Sequence, residues 1–311
     1  MFVKKKFIQT LTLLITLLFI QGCAVLTQSQ VDAVKSFATA ANNYSDLPST
    51  VINIHADSKL EESYFISANL SDPEHIVETM DHKATNYLKI KKQAEAADSA
   101  LSVIDAYVKL LQKLSSDDFT NQLNEESVAL GTAIDAGIAR YNSNANDKKV
   151  NSFGSTSAGI VRGIGGIRIK QKQTEALKKA VNSAEPVMQT MTKAIVALMD
   201  SYIGNNESEG LAEGAVKSLK AAYKQSLERG KPSNSVKNEK NITQLLIKAN
   251  SIKSLAEKNK VAIKTFQEAH TKLHANMQKK EDLKEGIEEI NVLYGEVRAA
   301  QKLKNDLDKD K

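Results

Sequence analysis

Two groups of histidines have the spacing of metal ligands on a helix. His75, Glu78 and His82 follow i, i+3, i+7, and His270 and His274 follow i, i+4; such intervals put side chains on one helix face. In the heptad frame of the surrounding apolar residues, His75 and His82 take c positions and Glu78 takes f, away from the seam. His270 and His274 take e and b, among lysines and without a neighbouring carboxylate pair. Both groups therefore read as solvated faces, and no metal centre is expected. The carboxylate pairs Asp117-Asp118, Glu125-Glu126 and Glu288-Glu289 are adjacent in the chain, so on a helix they diverge instead of converging on a substrate. Asp117 and Asp118 suit a helix N-terminus, where negative charge is favourable. No serine stands in a Gly-x-Ser-x-Gly elbow.

The most distinctive internal stretch runs from Gly154 to Gly166, with five glycines in 13 residues and Ile160, Val161 and Ile164 between them. Arg162, Arg168, Lys170 and Lys172 lie in or just after it. Ser155, Gly159 and Gly163 are four residues apart, and on a helix they form a smooth stripe that allows close backbone approach. Two uses follow. One is a membrane-touching hairpin or self-association stripe, its cations meeting lipid phosphates at about 1 kcal/mol each near an anionic surface. The other is a connector, or a tight helix crossing, whose positive charge sits against an acidic part of the same chain. The run is too short to span a bilayer, and Arg162 interrupts it. Gly163-Ile164-Gly165-Gly166 lacks the third glycine of the dinucleotide fingerprint, and no Gly-Lys-Ser/Thr follows. No cofactor is expected.

Residues 1–22 have three parts: Lys4, Lys5 and Lys6, then an apolar stretch from Phe7 to Ile20, then Gln21 and Gly22 before Cys23. The apolar stretch is shorter than the roughly 20 residues of a membrane span and fits the h-region of an export signal. Ile20-Gln21-Gly22-Cys23 resembles the signal end of bacterial lipoproteins, in which an aliphatic residue and a small residue precede the modified cysteine; Gln21 is a less usual occupant of the position between. The resemblance covers some 23 residues. It implies cleavage between Gly22 and Cys23, a diacylglycerol thioether on Cys23 and, usually, an acyl chain such as palmitate on the new N-terminus. Two or more chains give stable anchoring at about 0.8 kcal/mol per buried CH₂. By the sorting rule of that class, Ala24 after the cysteine implies the outer membrane where the cell has one. Cys23 is the sole cysteine of the chain, so no intrachain disulfide or cysteine-based metal cluster can form, and lipidation leaves no thiol for nucleophilic catalysis.

The elements that carry these residues are helical. Of 311 residues, 41% are hydrophobic and 25% charged, with no tryptophan and four prolines; abundant Ala, Leu, Lys, Glu and Gln favour helix over sheet. The seam Ile76, Met80, Lys83, Tyr87, Ile90, Ala94, Ala97, Leu101, Ile104, Val108, Leu111 predicts a helix starting at Pro73 with Asp72 as cap and stopping at Ser115–Asp118. Phe119, Leu123, Leu130, Ile134, Ile138 and Tyr141 mark a second helix running back. A third seam, Leu177, Val181, Ala184, Met188, Met191, Ile195, Leu198, Tyr202, contains Pro186, which predicts a kink or a break. Leu211–Leu227 is a shorter helix ended by Gly230 and Pro232. From Leu245 to Val297 a heptad frame holds 12 apolar residues in 16 a/d positions, with Asn276 and Lys280 suggesting a turn near 276–281 or else one long rod. Residues 45–72, with Val51-Ile52-Asn53-Ile54 and Tyr64-Phe65-Ile66, fit short strands or a short helix equally well.

Seams of this width bury themselves against one another. The fold class expected is all-α, an elongated antiparallel bundle with coiled-coil-like packing. The chain divides into a signal segment (1–22), an acidic helical region (23–147, net −9 from nine basic and eighteen acidic side chains), a Gly-rich basic connector (148–172) and a C-terminal helical region (173–311) continuous with the first bundle. Residues 148–179 carry a net +7, eight basic against one acidic. The mature chain is close to neutral, which disfavours a nucleic-acid partner. The function expected is a non-catalytic structural or binding role in the bacterial envelope, on the periplasmic face or the cell surface. Its partners would be the lipid membrane through Cys23, an envelope protein, and a second copy if the seams pair between chains. The alternative is a membrane-active protein resembling α-helical pore-forming toxins, inserting residues 154–172.

Overall fold

The computed structural model describes residues 26–42, 44, 47–116, 123–144, 169–205, 207–229, 236–277 and 284–309. Eight helices are found among them: α1 (Gln28–Ala41), α2 (Leu47–Ala68), α3 (Pro73–Leu114), α4 (Leu123–Asn144), α5 (Ile169–Ile203), α6 (Leu211–Glu228), α7 (Val236–Met277) and α8 (Lys284–Lys309). No strand occurs among the described residues. A bridge between Gly204 and Glu209 pins the tight link from α5 to α6. The all-α bundle is thus as the sequence predicts.

Local chemistry sets the helix ends. Thr27 caps α1 with a capping box: the Gln30 N–H donates to its Oγ1, and the Thr27 N–H donates to Gln30 Oε1. Asp72 caps α3 by accepting from the Glu74 N–H (3.2 Å), with Pro73 in the first position, where its missing N–H costs nothing. Pro186 does not break α5, which runs continuously from Ile169 to Ile203. Residues 47–68 resolve as one helix of 22 residues. The β-branched Val51 and Ile52 are fully buried there, so tertiary packing decides in favour of helix where propensity does not. The long frame of the C-terminal region is two antiparallel helices: α7 ends at Met277 and α8 begins at Lys284, as a turn near 276–281 requires.

α3 packs between α2 and α4, while α7 packs between α5 and α8; α6 closes on α2, and α1 fills the gap between α3, α7 and α8. One continuous core results, with Phe37, Tyr107, Ile104, Leu111, Met188 and Phe266 all buried. Each such side chain contributes about 1.5–3 kcal/mol through burial alone. Gly137 lets α4 lie close on α3, since a Cβ there would meet Val103 Cγ2 at 2.6 Å.

The α3 seam holds only from Ile90 onward. Upstream, Met80 is 46% exposed and its neighbours Val77 and Leu88 are 68% and 60% exposed. The apolar stripe of this half of the helix stays partly uncovered. In α8 the buried residues include Ile290, Leu293, Val297 and Ala300, and Tyr294 faces outward, so the frame carried by α7 does not continue unchanged into α8. Phe119 and Leu283 lie outside the described residues.

Candidate functional site

Three places bring polar chemistry together: the end of the bundle where the chain enters it, a buried chain of three side chains at its centre, and a lateral cleft. Cys23, Gly22, Gly159, Arg162 and Gly163 all lie outside the described residues, as do Asp117 and Asp118. The first described residue after Cys23 is Leu26, and it is already buried. Its N–H donates to Thr174 Oγ1 (2.9 Å) near the start of α5. Gln30 of α1 donates to the Asn276 carbonyl at the end of α7 (3.3 Å), and Gln173 donates to the Leu114 and Ser116 carbonyls at the end of α3 (3.0 and 3.1 Å). These glutamines satisfy carbonyls that a helix C-terminus leaves open. Four helix ends are thereby tied together within a few residues of Cys23, and α5 leads there directly from the basic segment.

At the bundle centre, His270 is 1% exposed, in contrast to the solvated face expected from its e position. α7 is enclosed by several helices, not one partner, so its buried arc extends past the a/d seam. His270 Nε2 lies 2.7 Å from Tyr107 Oη, and Nδ1 lies 2.7 Å from Glu185 Oε2. Glu185 also accepts from Gln189 Nε2 (2.6 Å) and Thr271 Oγ1 (3.1 Å). The hydrogen bond from His270, with those from Gln189 and Thr271, outweighs burial and holds the Glu185 carboxyl at about 2. Burial pushes His270 down, with Glu185 opposing. A neutral imidazole beside an ionised carboxylate fixes the tautomer: Nδ1–H donates to Glu185, and Nε2 accepts the Tyr107 O–H. Phe266 stacks on His270 (16° between planes) and Phe37 covers it at 5.8 Å between ring centroids. Tyr107 is fully buried, and this chain ties α3, α5 and α7 together. His75 and His82, by comparison, are exposed on α3, and His75 pairs locally with the capping Asp72.

The cleft, of about 490 Å³, lies between α2, α3 and the α5–α6 link. Its floor is His55 and Tyr202, 5% and 1% exposed, whose rings meet edge-to-face at 5.3 Å. His55 Nδ1 and Tyr202 Oη are buried without a hydrogen-bond partner, each at a cost of about 1–3 kcal/mol. Burial and then Lys59 push His55 down to about 4, with Glu62 opposing. Lys59, Lys89 and Glu209 stand around the floor. Lys59 is held by Glu62 Oε2 (2.7 Å) and Ser218 Oγ (2.9 Å), and Glu209 by Lys217 (3.0 Å). The third wall is the start of α6, whose N-cap is Gly210, without a side-chain cap. Only glycine fits there: a Cβ on Gly210 would lie 2.4 Å from the Tyr202 carbonyl oxygen, and Gly204, at φ +76°, has a left-handed backbone.

Sequence reasoning missed both of the latter places. Among the described residues no three His, Cys, Asp or Glu side chains gather as a metal site, and no helix is long and apolar enough to cross a membrane. Comparison with family models, curated proteins and solved structures finds no match to this chain.

Proposed function

We propose that this chain is a lipid-anchored protein of the bacterial envelope, working outside the cytoplasm in a non-catalytic structural or binding role. The observation that carries the reading is the position of its sole cysteine, Cys23, directly after a basic start, an apolar stretch and Ile20-Gln21-Gly22. The first described residue, Leu26, follows Cys23 by three positions and is already buried in the bundle. The membrane would be the first partner, through the acyl chains, and a second envelope protein the next.

Metabolic labelling with a fatty-acid probe, followed by membrane fractionation, tests this in wild type and Cys23→Ala. Label and membrane retention are expected in the wild type and lost in the variant. A wild-type protein that is unlabelled and soluble overturns the proposal.

A further inference from the structure

The cleft beside His55 has the parts of a ligand site. Two buried polar atoms on its floor, His55 Nδ1 and Tyr202 Oη, have no hydrogen-bond partner among the described residues. Buried polar groups are nearly always satisfied, so a pair left open on the wall of one cleft points to a partner from outside the chain. The wall facing them is the N-terminus of an 18-residue helix with no side-chain cap; its first N–H groups and its dipole favour an anion. Lys89 adds a full positive charge on the adjoining helix, with no ion pair among the described residues, whereas Lys59 is already paired with Glu62. The rim carboxylate, Glu209, is engaged by Lys217. Space is available as well: a Cβ on Gly214, in the same wall, meets nothing within 4 Å.

We propose that this cleft binds a small organic anion. Its carboxylate or phosphate group sits between the α6 N-terminus and Lys89, and a hydrogen-bonding group on its body completes His55 Nδ1 and Tyr202 Oη. The apolar sides of Ile90, Leu211 and Ala215 leave room for a few carbons of the ligand. The inference goes beyond the lipid anchor and does not rest on it: the cleft is built from α2, α3, α5 and α6, and acylation of Cys23 changes none of these residues.

The test uses the full chain in a non-ionic detergent, with histidine ring nitrogens and tyrosine ring carbons isotopically labelled. It is titrated with inorganic phosphate, with acetate, and with chloride at matched ionic strength. The His55 and Tyr202 signals are expected to move saturably with phosphate or acetate and not with chloride, while His270, sealed in the core, stays still. The oxyanion that saturates identifies the headgroup. Gly214→Leu, which fills the open space, is expected to abolish the shifts, and Lys89→Ala, on the exposed rim, to weaken binding about tenfold. Absence of a saturable shift with either oxyanion overturns the proposal, as does an unchanged titration in folded Gly214→Leu. Since the labelling of Cys23 is measured separately, failure of the cleft leaves the anchor standing, and failure of the anchor leaves the cleft.

Discussion

Two buried histidines make the stability of this protein depend on pH. His270 and His55 both have depressed folded-state affinities for a proton, through burial above all. A depressed histidine favours the fold while the unfolded chain is also neutral, and that contribution is lost as pH falls below about 6.5. Glu185, held at about 2, acts in the same direction at lower pH. Unfolding free energy is therefore expected to be flat from pH 8 to 7 and to fall between pH 6.5 and 4. Urea titrations across that range check it, and a shallower fall is expected in His55→Phe, which has no group to protonate. At neutral pH, His270→Ala is expected to cost about 3–5 kcal/mol, because it opens a cavity in the core and leaves the Tyr107 hydroxyl there without its partner. His75→Ala, on the exposed face of α3, is expected to change stability by less than about 0.5 kcal/mol. Nothing in the heptad frame distinguishes these histidines. A frame assumes a helix with one neighbour, and α7 has several, so position e at residue 270 is as buried as a or d.

Among the elements, α3 is the most uneven. From Ile90 to Leu114 its apolar stripe is buried, but from Pro73 to Lys89 it stays largely exposed. Amide exchange is expected to be faster over residues 77–88 than over 97–111, since solvent reaches the backbone bonds of the first half more easily; equal protection in the two halves would show that something covers the stripe. α1 makes a second test. Its capping box at Thr27 fixes the point where the chain enters the bundle, and Thr27→Ala is expected to cost about 1 kcal/mol, read as a lower melting temperature. The boundaries of α3 were legible because Asp72-Pro73 is a strong local signal. Those of α2 were not, because Val51, Ile52, Tyr64 and Phe65 favour strand locally and become helical only through packing on α3 and α6. The cleft was illegible for another reason. His55, Lys89, Tyr202 and Gly210 come from four separate segments, and no spacing along the chain connects them.

At the scale of the whole molecule, the sequence predicts a bundle but leaves open whether its seams close within one chain or between two, and the described helices pack within one chain around a single core. What a frame of repeats cannot supply is which helix ends share a pole. Here the ends of α3 and α7 and the beginnings of α1 and α5 meet beside Thr174. Thr174→Val removes the hydroxyl that receives the Leu26 N–H and is expected to cost about 1 kcal/mol. Limited proteolysis should then cut near Leu26 faster, with the rest of the bundle intact.

The Leu26–Thr174 contact also sets an altitude. Tyr202 stands 28 residues along α5 from Thr174, about 42 Å at 1.5 Å per residue. On the proposal that Cys23 is acylated, the cleft would lie up to about 40 Å along the bundle from the headgroups, several Debye lengths beyond the negative potential of an anionic leaflet. An anion approaching it would then meet the local field of Lys89 and the α6 N-terminus.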